Sequence, residues 1–287
     1  MKLKKNYPDE VYLNGKWLKH DQAFVSVFDR GFMFGDGIYE VTPFYNGIPF
    51  KLKEHLERLQ YCLKEVQIEF DVPSLEKLML EAISRAGLSK SDAAVYIQIS
   101  RGTAPRTHFY PENPTPTILL YSFPVNLEGF ENRQWKVLVS KDKRWRRCDI
   151  KTTALMANIM ANEEAVSLKF EENLLIRKGY FTEASHSSAF FVKYKTIYTH
   201  PEGHHILSGI TRKQIILLCK NLGLEVIEKA VHLDELVEVD EIFLTGTTTQ
   251  VVRVESVHSK EKELFRASKN NITTLLQNEF IKLTRAL

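Results

Sequence analysis

The alternation of apolar and polar residues predicts a sheet in the first part of the chain. Two Asn-Gly pairs, Asn14-Gly15 and Asn46-Gly47, lie between short apolar runs, and this pair is preferred in the type I′ turn of a β-hairpin. Further along, the runs AAVYIQIS (93–100) and PTILLYSF (116–123) have the composition of buried strands. We therefore expect an antiparallel sheet in this region.

Apolar residues with helical spacing lie between these strand segments. From residue 52 onward Leu56, Leu59 and Leu63 recur at intervals of three and four residues, which is the stripe of an amphipathic helix. Residues 74–87 repeat the pattern, with a serine at the start and a glycine at the end. Strands and helices occur without a regular βαβ alternation, and this predicts an α+β fold.

A polar segment with a proline and a glycine, residues 124–134, is the best candidate for an interdomain linker. It divides the chain into a small N-terminal α+β domain (1–123) and a larger C-terminal domain (135–287). Many short apolar runs in the second part predict a barrel-like or strongly curved sheet. These runs are WKVLVS, NLLIRK, AFFVKY, IYTH, LEVIEK, EIFLTG and VVRVES, and helices are expected near 154–168, 211–222 and 268–285.

Composition narrows the class of protein. The chain has 287 residues, of which 44% are hydrophobic and 26% charged, an ordinary mix for a globular protein. Its formal net charge of +3 comes from 39 basic and 36 acidic residues, which does not indicate a nucleic-acid-binding surface. No apolar run approaches the roughly 18 residues that span a bilayer, and the N-terminus lacks a secretory pattern. A soluble protein with no membrane partner is expected.

The cysteine and histidine patterns argue against disulfides and metal sites. The three cysteines are far apart with no CxxC pair, which fits a reducing cytoplasm rather than a disulfide framework or a zinc cluster. His200, His204 and His205 match no common zinc spacing and lie in a turn marked by proline and glycine. The sequence thus predicts a cytoplasmic protein without a metal.

Two segments have the composition of an anion site. In SGITRKQ, Thr211 begins an apolar helix, so its hydroxyl and the free N–H groups of the helix N-terminus would face one point. The alternative is that Thr211 only caps its helix. In EIFLTGTTTQ, Gly246 is followed by a run of hydroxyls that includes Thr247, and the alternative is a hydroxyl-rich turn.

Several charged residues lie beside apolar segments. In RWRRCDIKTTALMAN, Lys151 stands between arginines that look solvated and the apparent start of a buried helix. Glu183 lies between two aromatic residues and a small-residue loop, where a carboxylate is expected to meet a cation. The alternative is a surface loop. Arg58 lies beside the apolar helix stripe, either as a functional group or paired with Glu54 in solvent.

The loop RGTAPRTH follows a predicted buried strand and brings together Arg101, Arg106 and His108. A planar guanidinium in such a loop can bind a carboxylate through two hydrogen bonds. A solvated turn is the alternative.

In order and spacing, these segments resemble the class IV (fold type IV) pyridoxal-phosphate-dependent aminotransferases, most of all the bacterial D-amino acid transaminases. Chance agreement at seven separated places is remote. The matching pieces are DRGFMFGDGIYEV (29–41), EHLERL, RGTAPRTH, RWRRCDIK, TEASHSS, YTHP with LSGITR, and TGTTTQ. The resemblance implies the two-domain fold of that family, with a small N-terminal α/β sandwich and a larger C-terminal pseudo-barrel.

The resemblance also implies a cofactor, pyridoxal 5'-phosphate, and roles for individual residues. Lys151 matches the Schiff-base lysine, which also acts as general base and acid. Glu183 matches the carboxylate that pairs with the pyridinium nitrogen. The residues that match the phosphate-binding site of the family are Arg58, Ile210 through its backbone N–H, Thr211 and Thr247. Leu207 matches the side chain that lies against the cofactor ring.

At the substrate end, Tyr39, Arg106 and His108 match a trap for the substrate α-carboxylate that the family builds across a homodimer. Fixing the carboxylate on one side of the cofactor directs the Cα–H bond toward the lysine in one enantiomer only. The implied reaction is ping-pong transamination between D-amino acids such as D-alanine, D-glutamate or D-aspartate and 2-oxo acids. Alternatives are an L-branched-chain aminotransferase, an aminodeoxychorismate lyase, or an inactive relative that binds phosphate ligands.

The chain departs from the family pattern in the loop after Glu183. Ala184, His186 and Ser188 stand where the family usually has glycine, serine and asparagine, and TTALMAN differs from the family's usual run after the lysine. These changes bear on substrate range and on the electronics of the cofactor. For His186, the alternatives are a donor near the ring or phosphate and a solvent-facing side chain.

Overall fold

The computed structural model describes residues 7–269 and 271–286. The chain forms two compact units. The first contains the described residues up to Asn126 together with Ile150–Ala154, and the second contains Leu127–Asp149 and Leu155–Ala286. The division falls inside the predicted linker 124–134, but Lys151 groups with the first unit although the sequence assigns it to 135–287. Residues 1–6, 270 and 287 of the predicted domains lie outside the described residues.

The first unit is built on a six-stranded antiparallel sheet in the order β2-β1-β6-β5-β3-β4. Both Asn-Gly pairs form the predicted hairpin turns, with positive φ angles at Asn14, Gly15, Asn46 and Gly47. The strands are β1 (Glu10–Leu13), β2 (Lys16–Lys19), β3 (Gly37–Tyr45), β4 (Ile48–Pro49), β5 (Ala93–Ser100) and β6 (Thr117–Pro124).

Two of the three helices in this unit pack their apolar stripes on the sheet. Leu59 and Leu63 of α2 (Leu52–Glu65) and Met79 of α3 (Leu75–Arg85) are buried with Ile97 and Ile99 of β5 in one core cluster, as their helical spacing predicts. The helices are α1 (Arg30–Phe34), α2 (Leu52–Glu65) and α3 (Leu75–Arg85), with short 3₁₀ turns at His20–Gln22 and Val72–Ser74. The short α1 was not predicted.

The second unit contains a nine-stranded mixed sheet in the order β12-β11-β10-β13-β14-β7-β8-β9, with β15 paired to β14. The sheet curls, because β9 (Tyr180–Ala184) at one end of this order is joined by only three residues to β10 (Ser188–Lys193), which lies near the other end. The strands are β7 (Gln134–Lys141), β8 (Glu172–Arg177), β9 (Tyr180–Ala184), β10 (Ser188–Lys193), β11 (Thr196–Thr199), β12 (Val226–Glu228), β13 (Glu241–Gly246), β14 (Gln250–His258) and β15 (Glu263–Arg266). The expected strongly curved sheet is confirmed.

Three helices accompany this sheet. They are α4 (Met156–Ser167), α5 (Ile210–Asn221) and α6 (Asn271–Arg285), with 3₁₀ turns at Phe130–Asn132 and Leu233–Glu238. The expectation of a buried helix after Lys151 is wrong, because Met156, Ile159 and Met160 of α4 are 58–69% exposed in the single chain. No helix within the described ranges is long and apolar enough to span a bilayer.

Candidate active site

In the first unit, Lys151 lies in an extended segment beside β3. The N–H of Tyr39 donates to the Lys151 carbonyl (3.0 Å), and the N–H of Lys151 donates to Sγ of Cys62 (3.3 Å). The Lys151 Nζ lies 4.1 Å from the centroid of the Tyr39 ring. The arginines of RWRRCDIK do not lie on a strand that ends at Lys151, because β7 ends ten residues earlier, at Lys141. The half-buried amine of Lys151 is held at the face of a tyrosine.

Arg58 is buried on α2 and pairs with Glu40 of β3. Arg58 Nε donates to Glu40 Oε2 (2.9 Å) and Nη2 to Oε1 (2.6 Å), while His55 Nδ1 lies 3.0 Å from Oε1. The predicted alternative, a solvated pair with Glu54, is wrong, since Glu54 lies near Lys51 instead. This two-bond pairing fixes the plane of the Arg58 guanidinium.

The pKa of Glu40 reflects this pairing. Burial alone would raise the pKa of Glu40, but the charge of Arg58 and the hydrogen bond from His55 outweigh burial and hold it below its ordinary value. Burial lowers the pKa of His55. The network thus keeps a charged carboxylate under Arg58 at neutral pH.

Glu40→Gln should lower the free energy of unfolding at pH 7 by about 3 kcal/mol, because Arg58 would stay buried without its counter-charge. The pKa of Glu40 is depressed in the folded state. Its contribution to the free energy of unfolding is therefore complete above the unfolded-state pKa of about 4.3 and is lost as the pH falls toward the folded-state pKa. Urea denaturation should therefore show a smaller difference in the free energy of unfolding between Glu40→Gln and wild type at pH 3.5 than at pH 7.

The control for this prediction is Glu57→Gln, which removes an exposed carboxylate 3.8 Å from Lys53 on the same helix. We expect the free energy of unfolding to change by less than about 0.5 kcal/mol when such a surface pair is removed. Equal losses in the two variants would contradict a special role for the buried network.

The loop after β5 separates Arg101 from Arg106 and His108, although the sequence placed the three side chains together. Arg101 is fully buried and donates to both oxygens of Asp36 (2.8 and 3.0 Å). Arg106 and His108 are exposed, and within the described residues no hydrogen bond, ion pair or ring contact joins either of them to Tyr39. Arg101 is therefore a structural residue, whereas the other two stay available to a ligand.

In the second unit, Glu183 lies on β9 and not in the surface loop that was the alternative. Its side chain is 8% exposed and is paired with Arg144 Nη1. The N–H of Leu207 donates to both of its carboxylate oxygens (3.2 Å each). Burial raises the pKa of Glu183, while Arg144 and the Leu207 N–H act in the opposite direction. The cation expected beside Glu183 is thus Arg144.

Arg144 is a site residue that the sequence did not single out. It looked solvated in the run RWRR, but its side chain is 5% exposed and also pairs with Asp142 (3.0 Å). This double carboxylate pairing raises its pKa despite burial, which acts to lower it. Its only signal in the sequence is the position two residues after Asp142, which permits this local pair.

The N-terminus of α5 has the features of an anion site. Gly209 is the N-cap residue, and no side chain caps the helix. The alternative that Thr211 is the cap is therefore wrong. The first N–H groups of the helix have no intrahelical acceptor. A Cβ on Gly209 would lie 2.8 Å from Ser188 Oγ. A side chain at this position would therefore require Ser188 to shift.

The turn between β13 and β14 reaches the same place. Ser188, beside Gly209, is paired in register with Thr245, and Gly246 and Thr247 follow directly. Within the described part of the chain, the buried Thr245 hydroxyl has no hydrogen-bond partner. Backbone N–H groups, hydroxyls and small residues thus gather where a phosphate group would fit.

His186, one of the three departures from the family pattern, belongs to a separate polar cluster with Ser185 and Glu172. His186 Nδ1 lies 2.7 Å from the buried carboxylate of Glu172, and the Ser185 hydroxyl also donates to Glu172. Burial would raise the pKa of Glu172, but His186 and Ser185 hold it below its ordinary value. His186 is half exposed, so it is partly solvent-facing, and it is tied to Glu172 at the start of β8.

The structure therefore groups the predicted residues in two sets. Tyr39, Arg58 and Lys151 belong to the first unit, as do Arg106 and His108. Glu183, Leu207, Ile210, Thr211 and Thr247 belong to the second. Among residues 7–269 and 271–286, no group of three or more His, Cys, Asp or Glu side chains is arranged to hold a metal ion.

Comparison with known proteins adds sequence relatives over nearly the whole length. The family model for amino-transferase class IV matches residues 37–257. The chain is 37% identical over 279 residues to a D-alanine aminotransferase of Bacillus licheniformis, covering 96% of this chain and 98% of the relative. It is 35% identical over 250 residues to a D-alanine aminotransferase of Staphylococcus aureus (strain N315), covering 86% and 88%.

Solved structures agree on the fold. A branched-chain amino acid aminotransferase of Escherichia coli superimposes with a TM-score of 0.87 at 24% identity, covering 97% of this chain and 95% of that chain. A second branched-chain amino acid aminotransferase, complexed with N-(5'-phosphopyridoxyl)-L-glutamate, gives a TM-score of 0.87 at 23% identity, covering 98% and 95%. The predicted α+β fold is confirmed.

Proposed function

Because the chain belongs to the class IV aminotransferase family, we propose that it transfers amino groups between D-amino acids and 2-oxo acids with pyridoxal 5'-phosphate as its cofactor. The donors are D-alanine, D-glutamate or D-aspartate, and the acceptors are 2-oxo acids such as 2-oxoglutarate or pyruvate. The observation that carries the proposal is the near full-length similarity to D-alanine aminotransferases, in a chain that presents the Arg106-x-His108 pair.

The residues of the second unit suit the cofactor's ring and phosphate. Glu183 is proposed to pair with the ring nitrogen, and the charge of Arg144 favours the ionised carboxylate needed for that pairing. Leu207 is proposed to lie against the ring. The Ile210 N–H and the Thr211 and Thr247 hydroxyls would bind the phosphate, together with Arg58.

Lys151 is proposed to hold the cofactor and to move the proton. When bound, pyridoxal phosphate forms a covalent bond with a lysine and then withdraws electrons from the substrate Cα. The freed Lys151 amine would remove the Cα proton as general base and return it as general acid. Its position at the Tyr39 ring restricts the direction from which this amine approaches.

The substrate α-carboxylate is proposed to bind Tyr39 together with Arg106 and His108 supplied by the second protomer of a homodimer. The exposure of Arg106 and His108 supports this assignment. Fixing the carboxylate in this way selects the enantiomer whose Cα–H faces the lysine. Among the described residues the three cysteines are buried and form no disulfide, which supports the proposed cytoplasmic location.

A substrate assay tests this proposal against its rivals. Purified protein with added cofactor would be given D-alanine, L-alanine and L-leucine with 2-oxoglutarate, and separately aminodeoxychorismate. We expect transamination of D-alanine to exceed that of either L-amino acid by at least about 100-fold, because a fixed carboxylate leaves the Cα–H bond of the L-enantiomer misplaced relative to the lysine. Activity with L-leucine alone, or pyruvate release from aminodeoxychorismate, would refute the D-specific proposal.

A further inference from the structure

Helix α1 is tied by a buried arginine to the loop that carries Arg106 and His108. Arg30 Nε donates to Asp36 Oδ2 (2.7 Å), and its Nη1 donates to the carbonyl of Thr107 (2.8 Å). Thr107 is the residue between Arg106 and His108. One guanidinium therefore holds the backbone at the centre of the Arg-x-His pair.

The other end of α1 presents an aromatic ring to both members of the pair. The Arg106 Cζ lies 5.0 Å from the centroid of the Phe34 ring, and the His108 and Phe34 ring centroids are 5.9 Å apart. Arg30 Cζ lies 4.8 Å from the same ring. Arg30 and Phe34 are four residues apart and so share one face of the helix.

Arg30 and Phe34 of α1, together called the platform below, are anchored in the interior of the first unit. Asp36 binds Arg101 as well as Arg30, and Arg101 donates to the carbonyls of Val66 (2.7 Å) and Gln67 (3.0 Å) at the end of α2. The two arginines are 1–3% exposed. The exposed pair thus rests on a rigid buried framework.

We propose that Arg30 and Phe34 are positioning residues for the carboxylate trap, acting only through Arg106 and His108. The inference rests on the proposed function. A long exposed arginine loses rotamer freedom when it binds a carboxylate, and a ring beneath its guanidinium reduces that loss by holding it in place beforehand. The Arg30 bond to the Thr107 carbonyl holds the backbone between the two trap residues and so limits the orientations of their side chains.

Phe34→Leu tests the platform, because it keeps apolar volume and removes the ring face. We expect KM for D-alanine to rise about fivefold while kcat stays within about twofold. KM for D-glutamate and for the 2-oxo acid should rise by a similar factor, since all three share the carboxylate. Cofactor content, from absorbance after denaturation in alkali, should not change.

Arg30→Lys should shift KM in the same direction, because lysine cannot bridge Asp36 and Thr107 as a planar fork.

The matched control is Phe32→Leu on the same helix, whose ring is 73% exposed; its KM should stay at the wild-type value. The decisive measurement is a double-mutant cycle with Arg106→Ala, in which Phe34→Leu should add less than about twofold to KM. An unchanged KM in Phe34→Leu, or an equal effect with and without Arg106, would overturn this inference alone. Wild-type protein inactive with D-alanine would overturn the proposed function and this inference with it.

Discussion

Replacing Lys151 with alanine is expected to lower kcat for D-alanine by about 10³-fold or more. The expected loss follows from removing the group that accepts and returns the Cα proton, since general acid–base catalysis contributes roughly 10² to 10⁴ in rate. The phosphate site at α5 should remain, so the variant should still bind the cofactor, although without a covalent bond. Steady-state kinetics and equilibrium dialysis measure the two effects separately.

The control for Lys151 is Lys143→Ala, which removes an exposed lysine from the preceding loop and should leave kcat unchanged. Borohydride reduction of wild-type protein with its cofactor should attach the label to the peptide that contains Lys151. Turnover by Lys151→Ala within about tenfold of wild type, or a label on another lysine, would show that Lys151 has been wrongly assigned.

The second large effect is expected at Glu183. Glu183→Gln keeps the shape of the side chain and removes its charge, so the cofactor's ring nitrogen would lose its ionic partner. We expect kcat to fall by about 10²-fold, comparable with the removal of one electrostatic stabiliser at other catalytic centres. The absorbance maximum of the bound cofactor should shift, because protonation of the ring nitrogen changes its spectrum.

Glu183→Gln also leaves Arg144 with one fewer carboxylate, and this must be separated from the direct effect. Glu183→Asp keeps the charge and should recover part of the lost kcat, whereas Thr182→Val changes the neighbouring contact to Arg144 (3.4 Å) and should affect stability more than kcat. Equal kcat values in Glu183→Gln and Glu183→Asp would argue that the charge at this position has no catalytic part.

Local patterns predicted the regular elements of this fold well. The two Asn-Gly turns and the stripes of α2 and α3 are confirmed, because each depends on the backbone preference or periodicity of a few neighbouring residues. The exposure of α4 was missed, since an apolar helical segment has the same sequence whether its own chain covers it or not.

Charged residues inside the units were harder to predict. Arg144 was grouped with its solvated neighbours because its partner Glu183 is 39 residues away, and such a pairing depends on the order of strands in the sheet. Glu40 had a weak signal: Ile38, Glu40 and Thr42 alternate along β3, and all three are buried. Period-2 burial thus places a carboxylate on the core face, where it requires a cation such as Arg58.

The three buried cysteines can report local unfolding of the protein through the rates at which their thiols are labelled. Cys62 lies in the first unit, and Cys148 and Cys219 lie in the second. Burial raises the pKa of Cys62 and Cys148 to about 11 and that of Cys219 to about 12, so the reactive thiolate is scarce at neutral pH. Alkylation must therefore wait for local unfolding. The labelling rate of each thiol consequently measures how often its own surroundings open, without any engineered probe.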